Sequence, residues 1–406
     1  MRVLLINKFL YARGGDAIST LDTGRLLKAH GHQVVYWGMA HPANPIYPYQ
    51  ELFTKYVDLN APVNLSSRLK IAANLLYSFE AKNKIERLVQ IEKPDIVHLN
   101  NFAHQISPSI LRVFQRHNIP TVMTLHDYKM VCASYLMINR DKTCEACRHG
   151  KYYMCFLKKC VKDSILKSFL NTVEMYLHHK ILHLYDSIDI FISPSVFLKQ
   201  KLHDMGFNNK KIVYLPNFVN GANKHTLKKT RTNRFLYFGR LSNEKGLETL
   251  IKAAGGMDIE LYIAGTGSHE PELKQVAVTE AVNNVYFMGY KSGNELAKEI
   301  REALAVVVPS QWYENNPRTV LESFTMGTPV IGANIGGIPE IVLNNETGLT
   351  FRSGDVDDLR RAMKFCINNK GKVWAMGKRA QQYVRKNFNA PQFYEGLMNI
   401  YHRVTG

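Results

Sequence analysis

Short apolar segments alternate with helical patterns along most of this chain. The first unit has a strand at Val3–Asn7, a loop with Gly14 and Gly15, a helical pattern at Ala17–Ala29 and a second strand at Gln33–Trp37. Parallel strands need a crossover connection, usually a helix, so this alternation predicts parallel sheets. The predicted fold is α/β and doubly wound, with ligands at the C-terminal ends of the strands.

The length of 406 residues exceeds what one hydrophobic core usually holds, so two domains are expected. Residues 218–233 are polar, basic and without apolar periodicity, which is typical of a linker. We therefore expect an N-terminal domain at residues 1–217, a C-terminal domain at residues 234–388 and a last helix within residues 389–406.

The formal net charge is +18, and it is concentrated in the first half. Up to Asn217 there are 28 Lys and Arg against 16 Asp and Glu, a balance of +12, which leaves +6 for the rest. Nucleic acid, an anionic membrane surface and a nucleotide substrate all suit such a protein. No apolar run reaches the roughly 18 residues that span a bilayer, and the N-terminus does not resemble a signal peptide. These features predict a cytoplasmic protein.

Helix-boundary signals surround a short apolar pattern near residue 320. Asn316 suits a helix N-cap, Pro317 suits the first helical position, and Gly327 suits the end, so a helix is predicted from Pro317 to the residue before Gly327. The free backbone amides of its first turn, at Arg318 and Thr319, form an anion site that suits a phosphate.

Two glutamates lie close to this predicted helix start. Glu322 follows one turn after the free amides, within reach of the hydroxyls of a ribose attached to the phosphate. Glu314 precedes the cap and faces the other side, where its carboxylate accepts hydrogen bonds from a sugar and stabilises a partly positive glycosyl transition state. The alternative is that both glutamates are solvated and merely favour the helix dipole.

A second group of charged residues follows the predicted strand Arg234–Phe238. Arg240 and Lys245 stand on the loop FGRLSNEKG, and two fixed cations at a strand end suit a diphosphate. Solvated surface cations are the alternative. The later pair Gly265 and Gly267 lacks a third glycine, so no dinucleotide fingerprint is present. Asp355 is interpreted as a helix cap with Asp358 three residues later, and no catalytic metal is expected.

Polar loops also follow strands of the first half. Gly14 and Gly15 allow a ligand to approach the backbone, although a simple turn is the alternative. His126 follows the apolar segment VMTL and is placed where this architecture binds ligands, with a structural histidine as the alternative. His98 and His104 flank another strand end and are weaker candidates for lining an acceptor pocket.

Four cysteines interrupt the alternation within a basic insertion at residues 132–162. In a cytosolic protein such a cluster favours structural zinc, with disulfides or reduced thiols as alternatives. Six Lys and Arg against one acid lie between residues 142 and 162, and aromatic residues accompany them, so this loop also suits an anionic lipid surface. The cysteines are Cys144, Cys147, Cys155 and Cys160.

In order and spacing, these motifs resemble family 4 of the retaining glycosyltransferases over essentially the whole chain. The resemblance is carried by Gly14-Gly15, by TLHD ending at Asp127, by FGRLSNEKG, by Glu314-x7-Glu322 and by GGIPEIV. It implies the GT-B fold, in which two Rossmann-like domains face each other across a cleft and the second holds a nucleotide-diphosphate sugar. The last helix is then expected to cross back to the first domain.

The resemblance also implies roles for individual residues. Arg240 and Lys245 are assigned to the diphosphate, Glu314 to the hydroxyls of the donor sugar, and Glu322 to the ribose. The backbone near Met288 and Tyr290 is assigned to the base, Gly14 and Gly15 to the phosphate or the acceptor, and His126 to an outer hydroxyl of the donor sugar.

One departure concerns the residues after Glu314. Many relatives have a glycine-rich run there, whereas this chain has Asn315-Asn316-Pro317, and a proline cannot donate its amide. We expect donor selectivity to be decided at Asn315 and its neighbours.

The predicted activity is sugar transfer with retention, from a UDP- or GDP-sugar to a glycan or lipid-linked acceptor of cell-surface polysaccharide synthesis. The protein is expected on the inner face of the membrane and without a nucleic-acid partner. The alternatives are a non-catalytic sugar-nucleotide sensor or scaffold at the membrane surface, and a Rossmann oxidoreductase, which the missing glycine motif disfavours.

Overall fold

The computed structural model describes residues 1–58, 64–207, 211–219 and 232–406. These residues form two compact units. The first contains Met1–Met137, Glu145–Pro216 and Phe393–Gly406, and the second contains Ile138–Cys144 and Asn217–Gln392. Most of the predicted linker at residues 218–233 lies outside the described residues.

The first half of the chain contributes six strands to a parallel sheet and two to a small hairpin. The strands are β1 Arg2–Ile6, β2 Gln33–Trp37, β3 Ile96–Leu99, β4 Thr121–Thr124, the antiparallel pair β5 Ile138–Asn139 and β6 Lys142–Thr143, β7 Ile190–Ser193 and β8 Ile212–Tyr214. The sheet order is β2-β1-β3-β4-β7-β8, with every pair parallel. The order reverses between β1 and β3, so the loops after these strands open at a site where such sheets bind ligands.

The helices of this half are α1 Gly15–Ala29, α2 Leu65–Leu76, α3 Phe79–Glu92, α4 Leu111–Arg116, α5 Tyr153–Leu157, α6 Ile165–Tyr176 and α7 Val196–Asp204. The sequence pattern of residues 67–92 predicts one continuous helical segment, but the structure forms two helices, α2 and α3, there. Ser78 separates them because its hydroxyl accepts a hydrogen bond from the amide of Ala81 at 3.2 Å and caps α3.

The second unit also has a parallel sheet of six strands, β9 Arg234–Phe238, β10 Glu260–Ala264, β11 Val285–Gly289, β12 Ala305–Val308, β13 Val330–Ala333 and β14 Gly348–Phe351. Its order is β11-β10-β9-β12-β13-β14, so the topological reversal lies between β9 and β12. The remaining helices are α8 Leu247–Ala254, α9 Glu270–Thr279, α10 Gly293–Glu302, α11 Arg318–Thr325, α12 Ile338–Ile341, α13 Val356–Asn368, α14 Lys370–Asn387 and α15 Ala390–Thr405.

Apolar packing fixes α11 against the second sheet. Val320, Leu321 and Phe324 are fully buried on one face of the helix. Each side chain of this size contributes about 2 kcal/mol when it leaves water. The helix therefore has a fixed orientation, with its N-terminus in the loop that follows β12.

Two of the last three helices carry specific contacts. Asp355 caps α13 by accepting a hydrogen bond from the amide of Asp358 at 2.9 Å, as predicted, while the Asp358 carboxylate turns to the amide of Arg352. Tyr401 of α15 hydrogen-bonds His98 of β3 within the first unit, at 2.7 Å. No helix within the described ranges has the length and apolarity needed to cross a bilayer.

Candidate functional site

Two loops meet at the point where the strand order of the second unit reverses. One follows β9 and the other follows β12, and these strands are neighbours. The amide of Gln311 donates to the carbonyl of Glu244 at 2.9 Å. Gly246 has φ 68°, and a Cβ atom there would lie 2.1 Å from the carbonyl oxygen of Pro309. This position therefore requires glycine, and the two loops are held in contact.

Lys245 and Glu314 form an ion pair between these loops. The Lys245 Nζ lies 2.6 Å from the Glu314 Oε1, and the Ser310 hydroxyl donates to the same oxygen at 2.7 Å. The ammonium also lies 5.0 Å from the centre of the Trp312 ring. Because Glu314 is only 7 % exposed, its carboxylate depends on these neighbouring groups to compensate its charge.

The environment of Glu314 keeps its carboxylate ionised. Burial by itself raises the pKa of this carboxyl, but the adjacent Lys245 ammonium and hydrogen bonds that include the one from Ser310 bring the pKa below its ordinary value. At neutral pH Glu314 therefore presents an ionised carboxylate at the end of the central strands.

A glycine loop supports the backbone of Glu314. The amide of Gly337 donates to the Glu314 carbonyl at 2.7 Å. The neighbouring Gly336 has φ 62°, and a Cβ atom there would lie 2.4 Å from the Glu314 carbonyl oxygen. Only glycine fits, so the GGIPE segment acts here by positioning Glu314.

Arg240 extends further into solvent than Lys245. Its side chain is 62 % exposed and pairs with Glu244 at 2.8 Å, while its Nε donates to the Ser242 hydroxyl at 3.2 Å. Ser242 also donates to Glu244 at 2.7 Å. The sequence interpretation placed Arg240 and Lys245 together, and the structure distinguishes an exposed arginine from a half-buried lysine.

The predicted helix start is displaced by one residue. Helix α11 begins at Arg318, and Pro317 is the extended residue before it, with φ −69° and ψ 114°. The predicted cap by Asn316 was wrong, because no side chain caps this helix. The amides near Arg318 and Thr319 are consequently the first of the helix, as an anion site requires. Glu322 lies one turn later and is paired with Arg318 at 3.4 Å.

The remaining predicted positions of this unit are in the loop after β12 and at the end of the edge strand β11. Asn315 and Asn316 are both 8 % exposed, and the Asn316 carbonyl accepts a hydrogen bond from Asn217 at 3.5 Å. Met288 is half-buried near the end of β11, and Tyr290 follows the strand with 65 % exposure. An exposed ring beside a strand end offers a surface on which a flat base stacks.

In the first unit His126 lies at the end of β4 beside the end of β3. Its Nε2 is 2.9 Å from the Asn100 side-chain oxygen, so the imidazole donates this hydrogen bond. Burial lowers the pKa of His126, and the carboxylates of Asp16 and Asp127 oppose this only in part. His126 is therefore neutral at physiological pH, with its second ring nitrogen as an acceptor.

The two weaker histidine candidates are structural. His98 is buried between the hydroxyls of Tyr401 and Thr124, each at 2.7 Å, and burial lowers its pKa to about 3. His104 pairs with the fully buried Glu174 at 3.3 Å. Neither side chain is exposed enough to line an acceptor pocket.

The glycine pair of the first loop lies at a helix start. Gly14 precedes α1 with φ −168°, which is extended backbone that any residue adopts, and Gly15 is the first helical residue. A Cβ atom at Gly14 would meet only the Asp16 side chain, at 3.3 Å. No side chain caps the start of α1, which suits an anion.

The predicted zinc site is not formed. Among the residues that the structure places, no three His, Cys, Asp or Glu side chains are arranged to hold a metal ion. Cys144 belongs to the second unit, whereas Cys147, Cys155 and Cys160 belong to the first. The Cys155 thiol instead hydrogen-bonds Cys160, which together with burial raises the pKa of Cys155.

Two residues of these sites had no role in the sequence interpretation. Ser310 donates a hydrogen bond to Glu314, and Asn100 orients His126. Gly336 belongs to the GGIPEIV motif, but its support of Glu314 was not predicted. Asn100 follows directly after β3 and Ser310 lies two residues after β12, and these positions were the available signal.

Comparison with known protein families gives two matches that together cover most of the chain. The family described as "Glycosyltransferase Family 4" matches residues 13–222, and "Glycosyl transferases group 1" matches residues 221–383. The first match alone covers more than half of the chain. Both matched regions contain the motifs described above.

Individual proteins are similar at lower identity. An uncharacterised 42.6 kDa protein in the cps region of Klebsiella pneumoniae is 25% identical over 84% of this chain and 87% of its own. Sucrose-phosphate synthase from Thermosynechococcus elongatus superposes with a TM-score of 0.73 at 18% identity, over 99% of this chain and 98% of that one. Anabaena HepE in complex with UDP-glucose gives 0.66 at 17% identity, over 98% and 100%.

Proposed function

Because the chain belongs to glycosyltransferase family 4 and has the GT-B fold, we propose that it transfers a sugar from a UDP- or GDP-sugar to a lipid-linked glycan. Family membership makes it a retaining enzyme that uses a nucleotide sugar. We propose in addition the class of donor base, the kind of acceptor and the roles of individual residues.

The ion pair of Lys245 and Glu314 carries this proposal. A diphosphate at the end of β9 and β12 would take hydrogen bonds from the Lys245 ammonium, and Arg240 would add charge from the exposed side of the loop. The charge on the diphosphate grows as its bond to the sugar breaks, so these cations favour the transition state over the bound substrate.

Glu314 is proposed to hold the sugar itself. Its Oε1 is occupied by Lys245 and Ser310, while the second oxygen of the ionised carboxylate remains a strong acceptor for sugar hydroxyls. Glu322, one turn into α11 and one-third exposed, is proposed to accept the ribose hydroxyls. The helix amides near Arg318 and Thr319 would bind a phosphate between these two glutamates.

The base and the selectivity for the donor involve neighbouring segments. The backbone near Met288 and the exposed Tyr290 are proposed to contact the base. Asn315 follows Glu314 directly and is buried, so its side chain is rigidly held and its contacts help to select the donor sugar.

Two elements of the first unit are assigned to the reacting sugar and the acceptor. The neutral His126 is proposed to hydrogen-bond an outer hydroxyl of the donor sugar, with Asn100 fixing its ring. The start of α1 at Gly14 and Gly15 is proposed to bind a phosphate or the acceptor.

In the proposed reaction, the bond between the anomeric carbon and the β-phosphate oxygen breaks while an acceptor oxygen attacks the same face. The acceptor proton moves to the leaving phosphate oxygen, so no enzyme nucleophile is needed. Lys245 and Arg240 stabilise the leaving diphosphate, and Glu314 stabilises positive charge on the sugar.

We propose cell-surface polysaccharide assembly as the setting. The similar Klebsiella protein lies in a cps region, and the excess of +12 in the first half of this chain favours an anionic membrane surface that presents a lipid-linked acceptor. We favour an enzyme over a sugar-nucleotide sensor, because binding alone does not require a buried, ionised Glu314 beside Lys245.

The test is turnover of a panel of UDP-, GDP- and dTDP-sugars by the purified full chain, with Glu314→Ala as the inactive comparison. Hydrolysis or transfer with one donor class, retained anomeric configuration and loss in the variant are expected. Tight binding of a donor without any turnover would support the sensor and overturn the catalytic proposal.

A further inference from the structure

Helix α6 lies in the first unit with its polar side facing inward. Ser168 and Glu174 are fully buried, whereas Leu166 is 75 % exposed and Ile165 and Phe169 are 54 % and 51 % exposed. A helix on the surface of a globular domain normally has the opposite arrangement. We therefore expect the exposed apolar residues to contact an apolar partner and not only water.

Hydrogen bonds hold α6 in this orientation. The Ser168 hydroxyl accepts from the amide of Val161 at 3.0 Å, and the Glu174 carboxylate accepts from the Lys129 ammonium at 2.7 Å. Turning the helix over would leave Glu174 and Lys129 without these partners at a cost of several kcal/mol. The exposed apolar side is a stable property of the fold.

Helix α5 continues this apolar surface. The Phe156 and Phe169 rings pack edge to face with centroids 5.8 Å apart, and Leu157 is 61 % exposed. We name this surface the α5–α6 patch, formed by Phe156, Leu157, Ile165, Leu166 and Phe169. Two aromatic rings and three aliphatic side chains thus share one solvent-facing surface.

Positive charge accompanies the patch. Residues 156–169 contain four lysines and one acid, Asp163, a balance of +3, and all five charged side chains belong to exposed residues. Long lysine side chains keep their ammonium groups at a polar boundary while their methylene chains cover apolar surface. The lysines are Lys158, Lys159, Lys162 and Lys167.

We propose that the α5–α6 patch docks the protein on an anionic lipid bilayer, with the apolar side chains entering the headgroup region and the lysines contacting lipid phosphates. Charge complementarity supports this occupant, since apolar insertion and anionic attraction act together. A second copy of the chain fits poorly, because a two-fold interface would place one +3 surface against another.

This inference rests on the proposed function, because docking on a membrane would give the enzyme access to a lipid-linked acceptor. Its test is independent of sugar transfer. Binding of the full chain to vesicles of phosphatidylglycerol and phosphatidylethanolamine is compared with binding to phosphatidylcholine vesicles, and sugar-nucleotide hydrolysis in solution is measured in parallel.

Two variants and two matched controls define the result. Leu166→Ser with Phe169→Ser is expected to weaken binding to anionic vesicles roughly tenfold, whereas Val278→Ser, which alters a 74 % exposed side chain of α9, leaves it unchanged. Replacing Lys158, Lys159 and Lys162 by Gln is expected to weaken it roughly a hundredfold. The control with equal loss of charge changes exposed lysines of the second unit, Lys298, Lys364 and Lys378.

Several results would overturn the proposal. These are equal binding to neutral and anionic vesicles, binding by the folded patch variants at the wild-type level, or a dimer in solution that these variants dissociate. If vesicle binding fails while hydrolysis persists, the docking surface is wrong and the proposed function stands. The opposite outcome rejects the function and keeps the surface.

Discussion

The ammonium of Lys245 and the carboxylate of Glu314 lie 2.6 Å apart, although 69 residues separate them along the chain. Each belongs to a loop that follows a central strand of the second sheet. Because the two side chains are in contact, the residue proposed to bind the diphosphate and the residue proposed to bind the sugar are electrostatically coupled. Loss of the Lys245 ammonium should therefore alter the ionisation of Glu314.

Lys245→Met is expected to lower the free energy of unfolding at neutral pH by roughly 3 kcal/mol, because it leaves a buried carboxylate without its cation. The folded-state pKa of Glu314 lies below its ordinary value of 4.5, so its stabilisation is present above that pH and is lost as the pH falls through the folded-state pKa. The difference between wild type and variant should shrink on acidification.

Urea unfolding near neutral pH and at a pH well below the ordinary carboxyl pKa measures this difference. Lys252→Met is the control, since it breaks an ion pair with Glu280 whose two side chains are 41 % and 46 % exposed. A Lys245 effect that is the same at both pH values contradicts the assignment.

Glu314→Ala is expected to reduce turnover roughly a hundredfold or more while the affinity for the free nucleotide diphosphate changes little, because the carboxylate is proposed to contact the sugar and its transition-state charge. Steady-state kinetics and calorimetric titration with the nucleotide measure the two effects. Glu322→Ala should have the opposite pattern, with weaker nucleotide binding and a smaller effect on turnover. Equal losses in both assays for Glu314→Ala would remove its proposed role.

Gly336→Ala is expected to destabilise the second unit by roughly 2 kcal/mol and to lower activity, because the new methyl group would lie 2.4 Å from the Glu314 carbonyl oxygen at a residue with φ 62°. Thermal unfolding and kcat/KM report the two effects. Gly371→Ala is the matched control, since no atom lies within 4 Å of its added Cβ. Equal tolerance of both substitutions would show that the loop does not position Glu314.

His98→Gln is expected to reduce the rate at which the free energy of unfolding decreases as the pH falls below the ordinary histidine pKa. The folded-state pKa of His98 is about 3, so the unfolded chain takes up the proton first as the pH falls below the ordinary 6.5. This histidine then reduces stability by about 1.4 kcal/mol per pH unit in that range. Denaturant unfolding as a function of pH measures the slope. Tyr401→Phe removes one hydrogen bond of His98 and should lower stability without changing the slope.

The sheets could be predicted from the sequence because buried parallel strands are short apolar runs. Gln33–Trp37 and Arg234–Phe238 were predicted with their observed bounds. The break before Ser78 was not predicted, because helical patterns stand on both sides of it. The helix start at Arg318 was missed by one residue, since Pro317 fits both the first helical position and the position before it.

The residues of the site could be predicted from the sequence more fully than the contacts between them. Glu314 and Lys245 were identified one by one, and their pairing depends on the adjacency of β9 and β12, which local patterns do not contain. Periodicity likewise shows that α6 is amphipathic without showing which side is inward, and here the polar side is. The zinc prediction failed because cysteines that are close in sequence are divided between the two units.

The chain enters the second unit and returns from it, since Phe393–Gly406 belongs to the same unit as the first residues. The unit that we propose binds the donor is therefore encoded by an internal segment of the chain and not by a C-terminal half. A chimera that is cut once near residue 217 and carries a relative's entire C-terminal portion would also replace Tyr401, the partner of His98. Exchange of donor specificity between relatives, in the laboratory or by recombination, should succeed only with two junctions that leave the last helix with its original partner.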